Sequence, residues 1–199
     1  MKHIILIEDR IERQKQYLDD NSIERLRTIP NLNMPQSSEC RRYIETINED
    51  RMNDLNDFNL IIIHRSPLNQ KGLLALSNYC KEQQKDLILF SGGNSQLTYH
   101  SDNFQALSIN SKDFYSKSLI DFLYGYSTDK VDNLLELIYR ENWMLGYLIK
   151  YRQLSKILET ERSLENKILI EEKLNEIQKI TGIEKEKINN EINQIIARL

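Results

Sequence analysis

Asn59-Leu60-Ile61-Ile62-Ile63-His64-Arg65-Ser66-Pro67 is the stretch on which the reading of this chain turns. Four large apolar residues in a row, three of them β-branched and closed off by Ser66-Pro67, are too few for a helix and suit a buried strand. That strand delivers His64 to its carboxyl end. Three other runs share the form. Ile4-Ile5-Leu6-Ile7 ends in Glu8-Asp9, and Leu87-Ile88-Leu89-Phe90 ends in Ser91-Gly92-Gly93. Ala106-Leu107-Ser108-Ile109-Asn110 runs into Ser111-Lys112-Asp113-Phe114. Strands apolar along their whole length belong to parallel sheets covered on both faces, and ligands gather at the carboxyl ends of such strands.

Amphipathic stretches separate these runs. Arg10–Leu18 reads as a helix with Ile11, Tyr17 and Leu18 turned inwards. Leu26-Arg27-Thr28-Ile29-Pro30 reads as a weak second strand that Pro30 exposes or ends. A helix capped by Ser37 or Ser38 is expected through about Leu55, with Tyr43, Ile44, Ile47 and Met52 on its apolar side. Others are expected from Gly72 to about Gln84 and over Ser116–Tyr124. Between Ser91 and Ala106 the turn formers Asn94, Ser95, Thr98, Ser101, Asp102 and Asn103 leave the due helix short, distorted or absent. Strand alternating with helix predicts an α/β fold with a five-stranded parallel sheet, and right-handed crossovers set the strand ends on one rim.

After Gly125-Tyr126-Ser127-Thr128 no strand pattern remains. The expected division is therefore residues 1–126 as the sheet domain and residues 127–199 as an all-α region. Val131, Leu134, Leu135 and Ile138 mark a helix that Leu145, Leu148 and Ile149 continue to about Glu159. Ile170, Leu174 and Ile177 mark a second. Gly182 breaks the pattern, and Ile188, Ile192, Ile195 and Ile196 mark a third.

The totals narrow the function classes. With 199 residues, 40% hydrophobic, 29% charged and a net charge of −3, the chain has an ordinary globular balance. It has no global pull on nucleic acid or an anionic membrane. The run Ile4–Ile7 is too short for a secretory signal or a membrane span. Cys40 and Cys80 make no CxxC, so a reduced, cytoplasmic chain is expected. The three histidines, His3, His64 and His100, lack metal-ligand spacing, and no phosphate loop, nucleophile elbow or dinucleotide fingerprint occurs.

Taken together, Ile4–Asp9, Leu60–His64, Ser91-Gly92 and Ser111-Lys112-Asp113-Phe114 resemble, in that order, the four motifs of the receiver domain of bacterial response regulators. The resemblance covers roughly the first 125 residues. It implies a flavodoxin-like sheet and a pocket of Glu8, Asp9, His64, Ser91 and Lys112. In the family the acid pair, here Glu8 and Asp9, helps hold magnesium. An aspartate on the third strand takes the phosphoryl group, and the hydroxyl and lysine bind its oxygens. This chain departs twice, with His64 at the phosphoacceptor position and Asp113 where proline usually follows the lysine.

Imidazole forms no acyl phosphate and removes an anionic ligand, so neither phosphorylation at the family site nor a magnesium cofactor is expected. His64 then reads either as a neutral imidazole bonded to Glu8, Asp9 or the neighbourhood of Lys112, or as a pH or ligand sensor. Glu8 and Asp9 read either as a pair neutralised by Lys112 or as a retained metal site. The resemblance implies a non-enzymatic module of signal transduction that works through a protein partner, with the tail mediating dimerisation or output. A transcription regulator whose tail binds DNA is one alternative, and a conventional magnesium-dependent phosphorylated regulator is the other.

The tail carries a second pattern. Leu174–Ile183 followed by Glu184–Ile195 resembles a helix-turn-helix with Gly182 at the turn. It would present Lys185, Lys187, Asn189, Asn190 and Asn193 to DNA. Against this stand Gln178, where close packing wants a small residue, and the acids Glu184 and Glu186. From Thr128 onward 12 Lys and Arg face 13 Asp and Glu. A helical hairpin for a homodimer or another partner gives the same pattern. Trp143, Met144, Tyr147 and Tyr151 read as core or, if exposed, as a partner surface.

Overall fold

The four apolar runs pair side by side as parallel strands. In the computed structural model, which describes residues 1–10, 12–94, 97–101, 104–116 and 118–196, they are β1 (Ile4–Ile7), β3 (Leu60–His64), β4 (Asp86–Ser91) and β6 (Gln105–Asn110). With β2 (Leu32–Asn33) and β5 (Thr98–Ser101) they form one sheet in the order β2-β1-β3-β4-β6-β5. All neighbours run parallel except β5, which is antiparallel to β6. The chain divides into two compact units, Met1–Ile138 and Tyr139–Leu199.

The sheet therefore has six strands rather than five. The extra one comes from the segment after Ser91, where no helical period competes and Thr98-Tyr99 favours extended backbone. It folds back on β6, with Tyr99 opposite Leu107. Ser95, Asp102 and Asn103 lie outside the described residues. The second strand is also displaced. Leu26 belongs to α2 (Asp20–Arg27), whose start is fixed by Asp19 accepting the Ser22 N–H at 2.7 Å. Ile23 and Leu26 are buried at helical spacing, and the edge strand forms only past Pro30, at Leu32.

α1 (Glu12–Tyr17) is shorter than expected, and Tyr17 is exposed while Gln14 and Leu18 are buried; Ile11 lies outside the described residues. α3 (Ser37–Asn48) is capped by Gln36, not by a serine. It stops at Asn48, and a 3-10 turn, Asn53–Leu55, then carries Met52 and Leu55 into the core. α4 (Gln70–Glu82) starts at Asn69, which accepts the Gly72 N–H at 2.7 Å. A Cβ on Gly72 would lie 2.9 Å from the Asn48 Cα, so only glycine lets α4 meet α3 so closely. Ile5, Ile7, Ile61 and Ile63 pack under Tyr43, Ile44, Ile47, Leu76 and Cys80. Ile4, Leu6, Leu60 and Ile62 are equally buried on the other face. Each such side chain contributes about 1.5–3 kcal/mol.

The first unit ends later than Gly125–Thr128. After α5 (Ser111–Phe114) and α6 (Leu119–Ser127), Asp129 turns with φ 59° and no helix forms at Val131. Leu134, Leu135 and Leu137 are instead buried, and the Leu134 N–H donates to Gln105 Oε1 at 3.0 Å. Helix resumes only at α7 (Glu136–Tyr139). The described elements of the second unit are helices: α8 (Trp143–Thr160), α9 (Leu164–Thr181) and α10 (Ile188–Ile196), with short 3-10 turns. Leu148, Tyr151, Leu174, Ile177, Ile188 and Ile192 form its core, against which Met144 and Tyr147 pack. Gly182, at φ 65°, ends α9 in the left-handed conformation that its place in the sequence suggested.

Candidate functional site

Parallel register sets the site. Ile7 pairs with Ile63 and His64 with Phe90, while Ser91 pairs with Asn110. Glu8, Asp9, His64 and Ser91 thus leave adjacent strands at one carboxyl rim, and Lys112 follows in the first turn after β6. The rim is where strand order reverses between β1 and β3, the position at which open α/β sheets form their crevice.

Only three of the five come together. His64 is 3% exposed, and its Nδ1 lies 3.2 Å from Asp9 Oδ1. The pair is too poorly directed to count as a hydrogen bond, so Nδ1 is buried without an aligned partner. Glu8, 2% exposed, accepts from the Arg10 N–H at 3.1 Å and from Arg13 Nη1 at 2.8 Å through Oε1. Its Oε2 accepts from the Tyr115 hydroxyl at 2.9 Å. Arg13 also reaches Asp9 Oδ1 at 3.4 Å. Ser91 is buried, and the loop after it is laced to Asn110, whose Nδ2 donates to Asn94 O at 2.9 Å. Lys112 is exposed. Its N–H donates to Asn110 Oδ1 at 2.8 Å, and its ammonium meets no acceptor among the described residues.

The acid pair is therefore neutralised by Arg13, not by Lys112. Arg13 stands one helical turn after Asp9, a spacing that pairs opposite charges on a helix, and this was the available signal. Tyr115 had none, because only the turn of α5 swings it back over β1.

Burial governs the charges. Desolvation pushes the Glu8 carboxyl up to about 7, although the Arg10 amide, the Tyr115 hydroxyl and the Arg13 guanidinium each favour its anion. Desolvation and the nearby guanidinium together push His64 down to about 4. That shift favours the neutral imidazole at neutral pH, but Nδ1 lacks the hydrogen bond that the first sequence reading gave it. Aromatic rings close the pocket. His64 meets Phe90 edge-on at 5.3 Å, Phe90 stacks on Phe114 at 4.3 Å, and Tyr17 stacks on Tyr115 at 5.9 Å. On the other side of Glu8 a cavity of about 220 Å³ opens between Leu6, Gln14, Met34 and Pro35.

The cluster holds two carboxylates, a guanidinium and an imidazole, and the buried Cys40 thiol lies beside it, pushed up by its own desolvation and by the Glu8 and Asp9 charges. Glu8, Asp9 and His64 have ligand atoms within 4.8 Å of one another, a spacing that could hold a metal ion. In the tail, Lys185 and Lys187 lie on a 3-10 turn because α10 begins only at Ile188. Lys187 is paired with Glu184 at 2.7 Å. Asn189, Asn190 and Asn193 are exposed.

No protein-family model matches the chain, and neither a curated protein nor a solved structure matches it. No helix among the described residues is long and apolar enough to cross a membrane.

Proposed function

We propose that this chain is a non-catalytic regulatory module whose first unit is a degenerate receiver-like domain that acts through protein–protein contact. The observation that carries the reading is the buried His64 seated beside Glu8 and Asp9 at the carboxyl rim, where the resemblance calls for a carboxylate nucleophile. The parallel strands β2-β1-β3-β4-β6 support it, since their order resembles that of receivers; β5 stands where a receiver carries a helix. Arg13 supplies the positive charge that the acid pair otherwise draws from a divalent ion, so the pocket is complete without phosphoryl chemistry.

The second unit supplies the contact surface. Ile157 near the end of α8 and Leu164, Ile168 and Leu169 at the start of α9 are each about half exposed or more. Clustered exposed apolar side chains mark interaction sites. We assign this hairpin tip to self-association.

Two measurements test the reading on the full chain. Acetyl phosphate with magnesium should leave the intact mass unchanged; a phosphate on Glu8 or Asp9 contradicts the loss of chemistry. Sedimentation velocity should show a dimer that Leu164→Glu with Ile168→Glu returns to monomer. A monomeric wild-type chain contradicts the assignment of the tail.

A further inference from the structure

His64 Nδ1 is the one imidazole nitrogen among the described residues that is buried without an aligned partner. The nearest carboxylate oxygen, Asp9 Oδ1, lies 3.2 Å away without hydrogen-bond alignment. A buried polar atom in that condition is costly unless something else satisfies it. The donor set around it is two oxygens and one nitrogen. All-oxygen sites suit magnesium and calcium, whereas imidazole with carboxylates suits zinc and its neighbours in the first transition row. Ligands bound at about 2.0–2.2 Å to one such ion stand roughly 3–4 Å apart. Atoms already within 4.8 Å therefore need only small rotations to share it.

Arg13 competes for the same oxygens. One guanidinium nitrogen spans Glu8 Oε1 at 2.8 Å and Asp9 Oδ1 at 3.4 Å. The side chain is 16% exposed and reaches solvent from the first turns of α1, so it can withdraw without unpacking the core.

We propose that Glu8, Asp9 and His64 form a site for one divalent transition-metal ion, with the Arg13 guanidinium as a tethered cation that leaves when the ion enters. The ion is of the zinc and cobalt class, not magnesium. The inference rests on the pocket's geometry and not on the regulatory reading. A chain that binds no metal can still refuse phosphate, and a chain that takes phosphate at the rim loses the regulatory reading while the metal affinity of its unphosphorylated form stays measurable.

Cobalt(II) is the probe, because its visible absorption reports nitrogen and oxygen ligation directly. The full wild-type chain should take up one equivalent with a d–d band that zinc abolishes, and millimolar magnesium should give no heat by calorimetry. Arg13→Gln should tighten cobalt binding at least tenfold. His64→Gln, checked for folding by circular dichroism, should weaken it at least tenfold. The double variant His3→Gln/His100→Gln should bind as wild type. No uptake by wild type, equal uptake by His64→Gln, or uptake lost in the double variant overturns the site. Unchanged affinity in Arg13→Gln overturns the competition.

Discussion

Glu8 and Asp86 sit at opposite ends of the sheet and share two features: burial pushes each carboxyl up, and a tyrosine hydroxyl donates to each. They differ in what completes the shell. Asp86, at the start of β4, takes the Tyr126 hydroxyl at 2.7 Å and the Gln105 N–H at 3.1 Å. Gln105 Oε1 in turn accepts from the Tyr99 hydroxyl and the Leu134 N–H. Neutral donors make the hydrogen bonds of that network, the nearby Lys2 ammonium is itself paired with Asp132, and the network fastens α6, β6 and the segment through Leu137 to β4. Glu8 faces a guanidinium, a second acid and an imidazole without an aligned partner. Burial alone thus does not mark a site. An excess of interacting charge at the strand ends where ligands gather does.

The largest effect should separate the two ends by stability. Asp86→Ala leaves the Tyr126 hydroxyl and the Gln105 amide without an acceptor and should cost about 3 kcal/mol in urea unfolding. Asp9→Asn, at the half-buried rim, should cost less than about 1 kcal/mol. Equal losses would erase the distinction.

The next effect is in pH. Glu8 titrates at 4.5 when exposed and about 7 when folded, so the folded chain holds a proton that the unfolded chain has lost. Its contribution is a stability that falls as pH rises from about 4.5 to about 7. His64 moves the other way, from 6.5 to about 4, and contributes a stability that rises from about pH 4 to about 6.5. The two slopes oppose each other between about pH 4.5 and 6.5. Glu8→Gln should leave the rise alone, and His64→Gln the fall alone, as read from urea midpoints stepped through pH. Superimposable profiles for the two variants would show that the rim does not titrate as described.

Smaller still, Tyr115→Phe removes one hydrogen bond to the Glu8 anion. It should cost about 1 kcal/mol in mildly alkaline solution, where Glu8 is ionised, and less in acid, where Glu8 is protonated. Tyr126→Phe tests the other end, and a cost as pH-dependent as that of Tyr115→Phe would blur the contrast.

Much of the sheet was legible because β1 and β3 are buried on both faces and β4 nearly so, and continuous apolar runs can hardly be read otherwise, while β6 buries Leu107 and Ile109 on the alternation of a half-covered strand. Their order along the chain placed Glu8, Asp9, His64 and Ser91 on one rim. The edges were not legible. Leu26–Pro30 has a strand-like composition, yet Asp19 caps a helix through Arg27 and wins. β5 has no periodicity of its own and exists only because β6 offers it an edge. At the site, Lys112 seemed the natural counter-ion from chain order alone. The structure uses Arg13, which is only four residues from Asp9 and sits at the start of the helix that follows it, and Tyr115, whose arrival depends on tertiary packing. The tail's three apolar stripes and Gly182 were readable from helical period and the glycine stop. The irregular start after Asp129 was not, because its leucines keep a helical spacing while belonging to the core of the first unit.

The central claim is that His64 fills the seat of a phosphoacceptor in a pocket otherwise of that kind. Intact-mass measurement of His64→Asp after acetyl phosphate and magnesium tests it most directly, beside wild type. The account expects one hydroxylamine-labile phosphate on the new carboxyl and none on wild type. A wild-type chain that takes phosphate at the rim, or a His64→Asp chain that folds and takes none, would contradict it.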